Sequence, residues 1–124
     1  MKKEEEAKAY INPEIAETHK AKGNELFKAG DFPGAIKEFD EAIRRDPSNK
    51  AYYSNRSFAY IKLMEPTYAL KDAEKAIELD PTFVKAWARK ATCHSLHKEY
   101  HKAMEAYQKG LDLEPGNKEC TDGL

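Results

Sequence analysis

Three short phrases organise the chain: EAIRRDP (residues 41–47), KAIELDP (75–81) and KGLDLEP (109–115). The proline that closes each phrase lies 34 residues after the previous one. A fixed period of this length is typical of repeat proteins, in which each unit buries its apolar face against its neighbours. Alignment on the prolines gives three repeats, at residues 16–49, 50–83 and 84–117.

Each repeat is predicted to contain two α-helices. In the first repeat, Ile36, Phe39 and Ile43 recur at the three- and four-residue spacing of an apolar helix face. Gly30 follows one helical stretch as a stop signal, and Pro33 stands near the start of the next. We therefore expect an all-α chain with a turn inside each repeat and another between repeats.

Polar residues near the repeat boundaries are expected to begin the helices that follow. Ser48, Thr82 and Asn117 are the N-cap candidates, because their side chains can accept a hydrogen bond from a free backbone N–H. Asn12 and Pro13 are predicted to be the cap and the first residue of the opening helix.

One position in each repeat is always small: Gly23, Ser57 and Ala91 stand 34 residues apart. Helices in a close-packed interior approach each other most closely where their side chains are small. We expect this position to mark the contact between the two helices of a pair, while aromatic and branched residues fill the space between pairs.

The period, the small position and the proline position resemble the tetratricopeptide repeat (TPR) family over residues 16–117. His19 and Pro66 depart from the family pattern, which usually has a large apolar and an aromatic residue there. The resemblance implies an all-α, right-handed superhelical stack of three helix-turn-helix repeats. Residues 13–124 are then the domain, residues 118–124 the start of a capping helix, and residues 1–12 a charged lead-in or linker.

Five polar side chains are predicted to share one wall of this stack. The first helices of stacked pairs line the concave side, and the repeat positions of the five lie within an arc of about 100° on a helix. The set holds three cations and two amides, with no acid among them: Lys20, Asn24, Asn55, Lys85 and Arg89. The other acids and lysines are expected on convex faces.

The chemistry of this wall suits carboxylates. Lysine supplies a point charge, arginine supplies a planar fork, and an asparagine amide adds a neutral donor. Two carboxylates held close together, as at a free C-terminal aspartate, would engage all five groups, and capture of a terminal carboxylate is a known mode of peptide recognition.

The five residues resemble the dicarboxylate clamp of chaperone-binding TPR domains. The matching motifs are KAKGN (residues 20–24), YSNRS (53–57) and VKAWARKA (84–91). This resemblance implies a co-chaperone module that binds the Glu-Glu-Val-Asp C-terminus of heat shock protein 70, with heat shock protein 90 as a second partner. Residues 9–47 and 98–119 look like the third TPR domain of the Hsp-organising (stress-inducible protein 1) co-chaperone family. Other domains of the same full-length co-chaperone are then further partners.

Ligand choice is expected to depend on pockets for residues upstream of the clamp. The candidates are Phe27, Phe58, Ile61 and His94. Core packing is the other role that their spacing allows, and the spacing favours it. The alternative function is architectural, with the repeats packed on another folded domain and no tail peptide bound.

The charge balance and the motifs argue against several other classes of protein. The chain has 21 Lys and Arg against 22 Asp and Glu, whereas nucleic-acid-binding domains usually carry a basic excess. No apolar run reaches the length of a membrane span, and the charged first ten residues are not expected to be a signal peptide. No nucleophile motif or phosphate loop points to an enzyme or a bound cofactor.

Metal binding is not predicted either. His94, His97 and His101 have no nearby acid or thiol that completes an obvious ligand set. Cys93 and Cys120 lie too far apart for a zinc motif and form no disulfide framework, so a reducing, cytoplasmic setting is expected.

Overall fold

The computed structural model describes residues 10–124, which form stacked antiparallel helix pairs and contain no strand. The helices are α1 (Pro13–Lys28), α2 (Phe32–Arg45), α3 (Lys50–Lys62), α4 (Pro66–Leu79), α5 (Val84–Leu96), α6 (Tyr100–Leu113) and α7 (Lys118–Gly123). This confirms the predicted fold class, an all-α stack of helix-turn-helix repeats. Within the described range, no helix is both long and apolar enough to span a membrane.

The first repeat begins and turns as its sequence predicts. The Asn12 side chain accepts a hydrogen bond from the Ile15 N–H at 3.1 Å, and Pro13 is the first helical residue. Gly30 ends the α1 turn with a φ of +86°, a conformation that favours glycine. Asp31 then caps α2 by accepting from the Gly34 N–H at 2.9 Å.

Two of the three predicted boundary caps are wrong by one residue. The N-caps of α3 and α5 are Asn49 and Phe83, not Ser48 and Thr82. The hydroxyls of Ser48 and Thr82 instead donate to the carboxylates of the preceding aspartates, Asp46 and Asp80, at 2.9 and 2.6 Å. These aspartates end the preceding helices and hold the turn, which shifts the helix start onward.

The third predicted cap is correct. The Asn117 side chain accepts from the Cys120 N–H at 3.0 Å and begins α7.

The small position is where the helices of a pair touch. A Cβ on Gly23 would lie 2.5 Å from Cε1 of Phe39 on the partner helix α2. Ser57 donates its hydroxyl hydrogen bond to the Ala69 carbonyl of α4 at 2.7 Å, and Ala91 is fully buried. This confirms the predicted contact within each pair.

An arginine joins the first pair to the second. Arg56 of α3 donates to Asp72 of α4 at 2.7 and 2.8 Å and to Asp40 of α2 at 2.9 Å. Burial lowers the pKa of the Arg56 guanidinium, but hydrogen bonds and charge from the two carboxylates outweigh burial and raise that pKa above its ordinary value. Three helices are therefore tied at one point.

The short helix α7 covers the end of the stack. Cys120 is fully buried against α6, where a Cβ on Gly110 would lie 2.5 Å from the Cys120 Sγ. Residues 1–9 of the predicted lead-in lie outside the described residues. Tyr10 contacts the first repeat, because its hydroxyl hydrogen-bonds Glu41 and the Arg45 guanidinium lies 3.7 Å from its ring centroid.

Candidate peptide-binding groove

The first helices of the three pairs, α1, α3 and α5, contact one another through residues of the predicted clamp. The Asn55 amide of α3 donates to the Asn24 amide oxygen of α1 across 3.5 Å. The Arg89 guanidinium of α5 lies 3.9 Å from the ring centroid of Phe58 on α3. These contacts make one continuous wall from the three first helices.

Lys20 lies one turn before Asn24 on α1 and is already paired. Its Nζ is 2.8 Å from an oxygen of Glu17, and its side chain is partly exposed. The hydroxyl of Tyr52 donates to the other Glu17 oxygen at 2.6 Å. Hydrogen bonds from Lys20 and then Tyr52 lower the pKa of the Glu17 carboxyl, so this acid stays ionised at neutral pH.

The two cations on α5 differ in their surroundings. Lys85 is exposed, whereas the Arg89 side chain is only 10% exposed. Arg89 Nη1 donates to the carboxylate of Glu119 on α7, and its Nε is buried with no hydrogen-bond partner among residues 10–124. Glu119 therefore satisfies only some of the hydrogen-bond donors of Arg89, which is the most buried cation of the wall.

Two acids beside the clamp contradict the expectation that acids lie on convex faces. Glu17 pairs with Lys20, and Glu119 pairs with Arg89. Both acids could have been found in the sequence, because Glu17, Lys85 and Glu119 occupy one repeat position at multiples of 34 residues. Helices at equivalent places in a stack present equivalent positions to the same side.

The predicted pocket residues divide between the groove and the core. Phe58 borders the clamp through Arg89. Phe27 contacts Phe58 with tilted rings whose centroids lie 5.0 Å apart, and it packs against the buried cluster around Phe39. Ile61 is partly buried one turn beyond Phe58 on α3.

The structure places His94 on a different surface. It is buried, and together with Trp87 and Leu70 it lines a groove of about 610 Å³ between α4, α5 and α6. Its Nδ1 lies 3.3 Å from a carboxylate oxygen of Glu99, at the start of α6. Five residues separate it from Arg89 on α5, which rotates its side chain about 140° around the helix from that of Arg89. His94 therefore points away from the clamp.

The five clamp side chains of the wall are hydrogen-bond donors that suit carboxylates. Ammonium, guanidinium and amide groups from α1, α3 and α5 supply charge-assisted and neutral hydrogen bonds. Within residues 10–124, no group of three or more His, Cys, Asp and Glu side chains has an arrangement that could hold a metal ion. These side chains can therefore bind anionic oxygens.

Comparison with known proteins agrees with this architecture. Family models described as "TPR repeat" and "Tetratricopeptide repeat" match residues 23–63 and 84–117. The TPR2B domain of yeast Sti1, solved in complex with pHsp70, is 37% identical, with a TM-score of 0.83 over 87% of this chain and 91% of that one. The chain belongs to the tetratricopeptide repeat family.

Two further relatives are similar to this TPR chain over nearly all of its length. The Hsp70-Hsp90 organizing protein of Triticum aestivum is 50% identical over 123 residues, which is 99% of this chain and 21% of that protein. The first TPR domain of Spaghetti (RPAP3), solved with the HSP90 peptide SRMEEVD, is 30% identical, with a TM-score of 0.88 over 91% of this chain and 90% of that one. The chain spans about a fifth of the length of the first curated relatives it matches.

Proposed function

We propose that this TPR domain is a co-chaperone module that clamps the C-terminal Glu-Glu-Val-Asp of heat shock protein 70, heat shock protein 90 or both. It would act as an adaptor in chaperone-assisted protein folding. The observation that carries the proposal is the wall of α1, α3 and α5, where three cations and two amides of the clamp pattern lie on touching helices. Solved TPR domains similar to this chain hold HSP90 and HSP70 peptides.

The five clamp residues form two groups, and each group binds one carboxylate of the terminal aspartate. Lys20, Asn24 and Asn55 hold the α-carboxylate, since the two amides already lie within hydrogen-bond range of each other. Lys85 and Arg89 hold the side-chain carboxylate. Each charge-assisted hydrogen bond of this kind contributes about 1.5–3 kcal/mol before screening by salt.

The residues of the tail that precede Glu-Glu-Val-Asp contact the apolar side chains at the edge of the wall. Phe58 is the side chain best placed for this contact, because it touches Arg89 and is only partly buried. Phe27 and Ile61 support it from α1 and α3. Preference between the two chaperones would follow from this edge, since both tails end in the same four residues.

The domain comprises residues 13–124, with repeats at 16–49, 50–83 and 84–117 and a capping segment at 118–124. Its setting is the cytoplasm, in keeping with free, buried thiols at Cys93 and Cys120. We assign it no catalytic activity, because the five clamp residues are binding groups and the sequence has no nucleophile motif beside them.

Calorimetric titration with a free Glu-Glu-Val-Asp peptide tests the proposal. Lys85→Ala is expected to weaken binding at least tenfold, because the lost contact corresponds to about 1.4 kcal/mol or more. Lys37→Ala is the matched control: Lys37 is an exposed lysine on α2 and should leave binding unchanged. Amidation of the peptide C-terminus and added salt should both weaken binding.

Two results would contradict the clamp. One is wild-type affinity in both Lys85→Ala and Arg89→Ala, and the other is equal affinity for the free and amidated peptides. Absence of binding even at millimolar peptide would favour the architectural alternative, in which the repeats pack on another domain.

A further inference from the structure

The last of the described helices, α7, supplies an acid that pairs with Arg89. The Glu119 carboxylate accepts a hydrogen bond from Arg89 Nη1, although 30 residues separate the two in the chain. The Glu119 side chain is 45% exposed, whereas that of Arg89 is 10% exposed. A buried cation is therefore paired with an acid that can turn out into solvent without unfolding the stack.

Glu119 matches only part of the guanidinium. An arginine has five N–H donors in a planar fork, and one of those on Arg89, Nε, is buried without a partner among residues 10–124. A buried donor without a partner is unfavourable. A carboxylate that approaches in the plane of the fork with both oxygens would match the guanidinium better.

Glu119 occupies the same repeat position as the clamp residue Lys85. It follows Lys85 by one 34-residue period, and α7 packs on α5 as well as on α6. The wall therefore ends in an acid at the position where the preceding repeat has a clamp lysine.

We propose that Glu119 is an intramolecular competitor that sets the affinity of the clamp. Its carboxylate occupies Arg89 until a ligand side-chain carboxylate displaces it. This inference rests on the proposed function of the groove. A ligand whose terminal carboxylate is already bound on α1 and α3 presents its second carboxylate to Arg89 at high effective concentration, which lets it compete with an acid tethered to the protein itself.

The competition is specific to the second carboxylate of the ligand. A peptide that ends in asparagine keeps its α-carboxylate but has no side-chain charge to exchange for Glu119. Removal of Glu119 should therefore help a peptide that ends in aspartate and should not help the matched peptide that ends in asparagine. A general change in surface charge would affect both peptides alike.

The test is calorimetric titration of the wild type, Glu119→Gln and Asp122→Asn with two peptides, one ending Glu-Glu-Val-Asp and one ending Glu-Glu-Val-Asn. Asp122 is an exposed acid on the same helix and controls for the loss of one charge. Glu119→Gln is expected to bind the aspartate peptide about threefold to tenfold more tightly, as for loss of a partly exposed ion pair. Its affinity for the asparagine peptide, and both affinities of Asp122→Asn, should stay within about twofold of the wild type.

Several outcomes would overturn the inference. If Glu119→Gln binds the aspartate peptide no better than a peptide-binding wild type, Glu119 does not compete and the proposed function alone survives. Equal gains with both peptides, or a gain in Asp122→Asn, would show a general charge effect. If the wild type and Glu119→Gln bind neither peptide, the proposed function fails together with the inference.

Discussion

The contact inside the first helix pair depends on the absence of a side chain at position 23. Gly23 lies in the interior of α1, where glycine costs roughly 0.5–1 kcal/mol relative to alanine. A Cβ there would meet the ring of Phe39, which is 1% exposed and cannot move aside. The glycine is therefore explained by close packing rather than by helix propensity.

Gly23→Ala is expected to lower the free energy of unfolding by about 1–2 kcal/mol. Overpacking of a full core costs about 1–3 kcal/mol, which exceeds the gain of up to about 1 kcal/mol in helix propensity. Urea denaturation measures the change. The control is Gly23→Ala in a Phe39→Leu background, where the smaller side chain should remove most of the added cost; an equal cost in both backgrounds would contradict the contact.

Acid should weaken the turn between the second and third repeats at Asp80. Hydrogen bonds from Lys50 and then Thr82 lower the pKa of the Asp80 carboxyl from 3.8 to about 2. The stability due to this carboxylate is therefore fully present above pH 3.8 and is lost as the pH falls through about 2.

Asp80→Asn should consequently be less stable than the wild type at neutral pH. The stabilities of the two proteins should converge as the pH falls to about 2. Denaturant unfolding at a series of pH values measures the difference. Glu78→Gln, which changes a strongly exposed acid on the same helix, is the control and should keep the wild-type profile. A constant difference between Asp80→Asn and the wild type at every pH would contradict the assignment.

At the scale of elements, α7 is a short helix held mainly by one buried side chain. Cys120 is fully buried against Gly110 of α6, with no space for a Cβ between them. Burial raises the pKa of the Cys120 thiol, and it raises that of Cys93 in α5 to about 12. Both thiols should therefore react slowly, because the thiolate is the nucleophile.

Gly110→Ala should displace α7 and speed alkylation of Cys120 selectively. The added methyl group would overlap the Cys120 sulfur, whereas Cys93 lies in a different helix and serves as the internal control. Mass spectrometry after a timed pulse of iodoacetamide at neutral pH measures each cysteine. Equal acceleration at both thiols would indicate general unfolding, and no acceleration would contradict the packing of α7.

At the scale of the whole molecule, the Arg56 ion cluster couples the first repeat to the second. Arg56 reaches Asp40 in the first pair and Asp72 in its own pair, and the Asp72 side chain is 6% exposed. Loss of the arginine would leave Asp72 buried without its cation. The cost of such an uncompensated charge is about 3–5 kcal/mol.

Arg56→Ala is therefore expected to lower the free energy of unfolding by about 3–5 kcal/mol. The double variant Arg56→Met with Asp72→Leu should regain most of that stability, since an apolar pair of similar volume avoids the buried charge. Denaturant unfolding compares the three proteins. A loss below about 1 kcal/mol in Arg56→Ala, the range of a surface ion pair, would contradict the coupling.

The repeat period predicted more of the structure than any single motif. It defined the helix pairs and the small contact position, because residues 34 apart occupy equivalent places in a stack. It misplaced two N-caps, since Asp46 and Asp80 capture the turn before Ser48 and Thr82 can cap the next helix. Cap positions depend on which of several neighbouring side chains wins a local hydrogen bond, and a spacing pattern does not decide that competition.

The sequence by itself determined an all-α stack of repeats and the residue types on its inner wall, because helix periodicity and repeat period are local properties of the chain. Only the tertiary structure decided that Arg89 is buried over Phe58 and that the Glu119 carboxylate of α7 pairs with it. These facts depend on the angle at which successive helices cross and on where α7 folds back. Both are set by packing between residues that are distant in sequence.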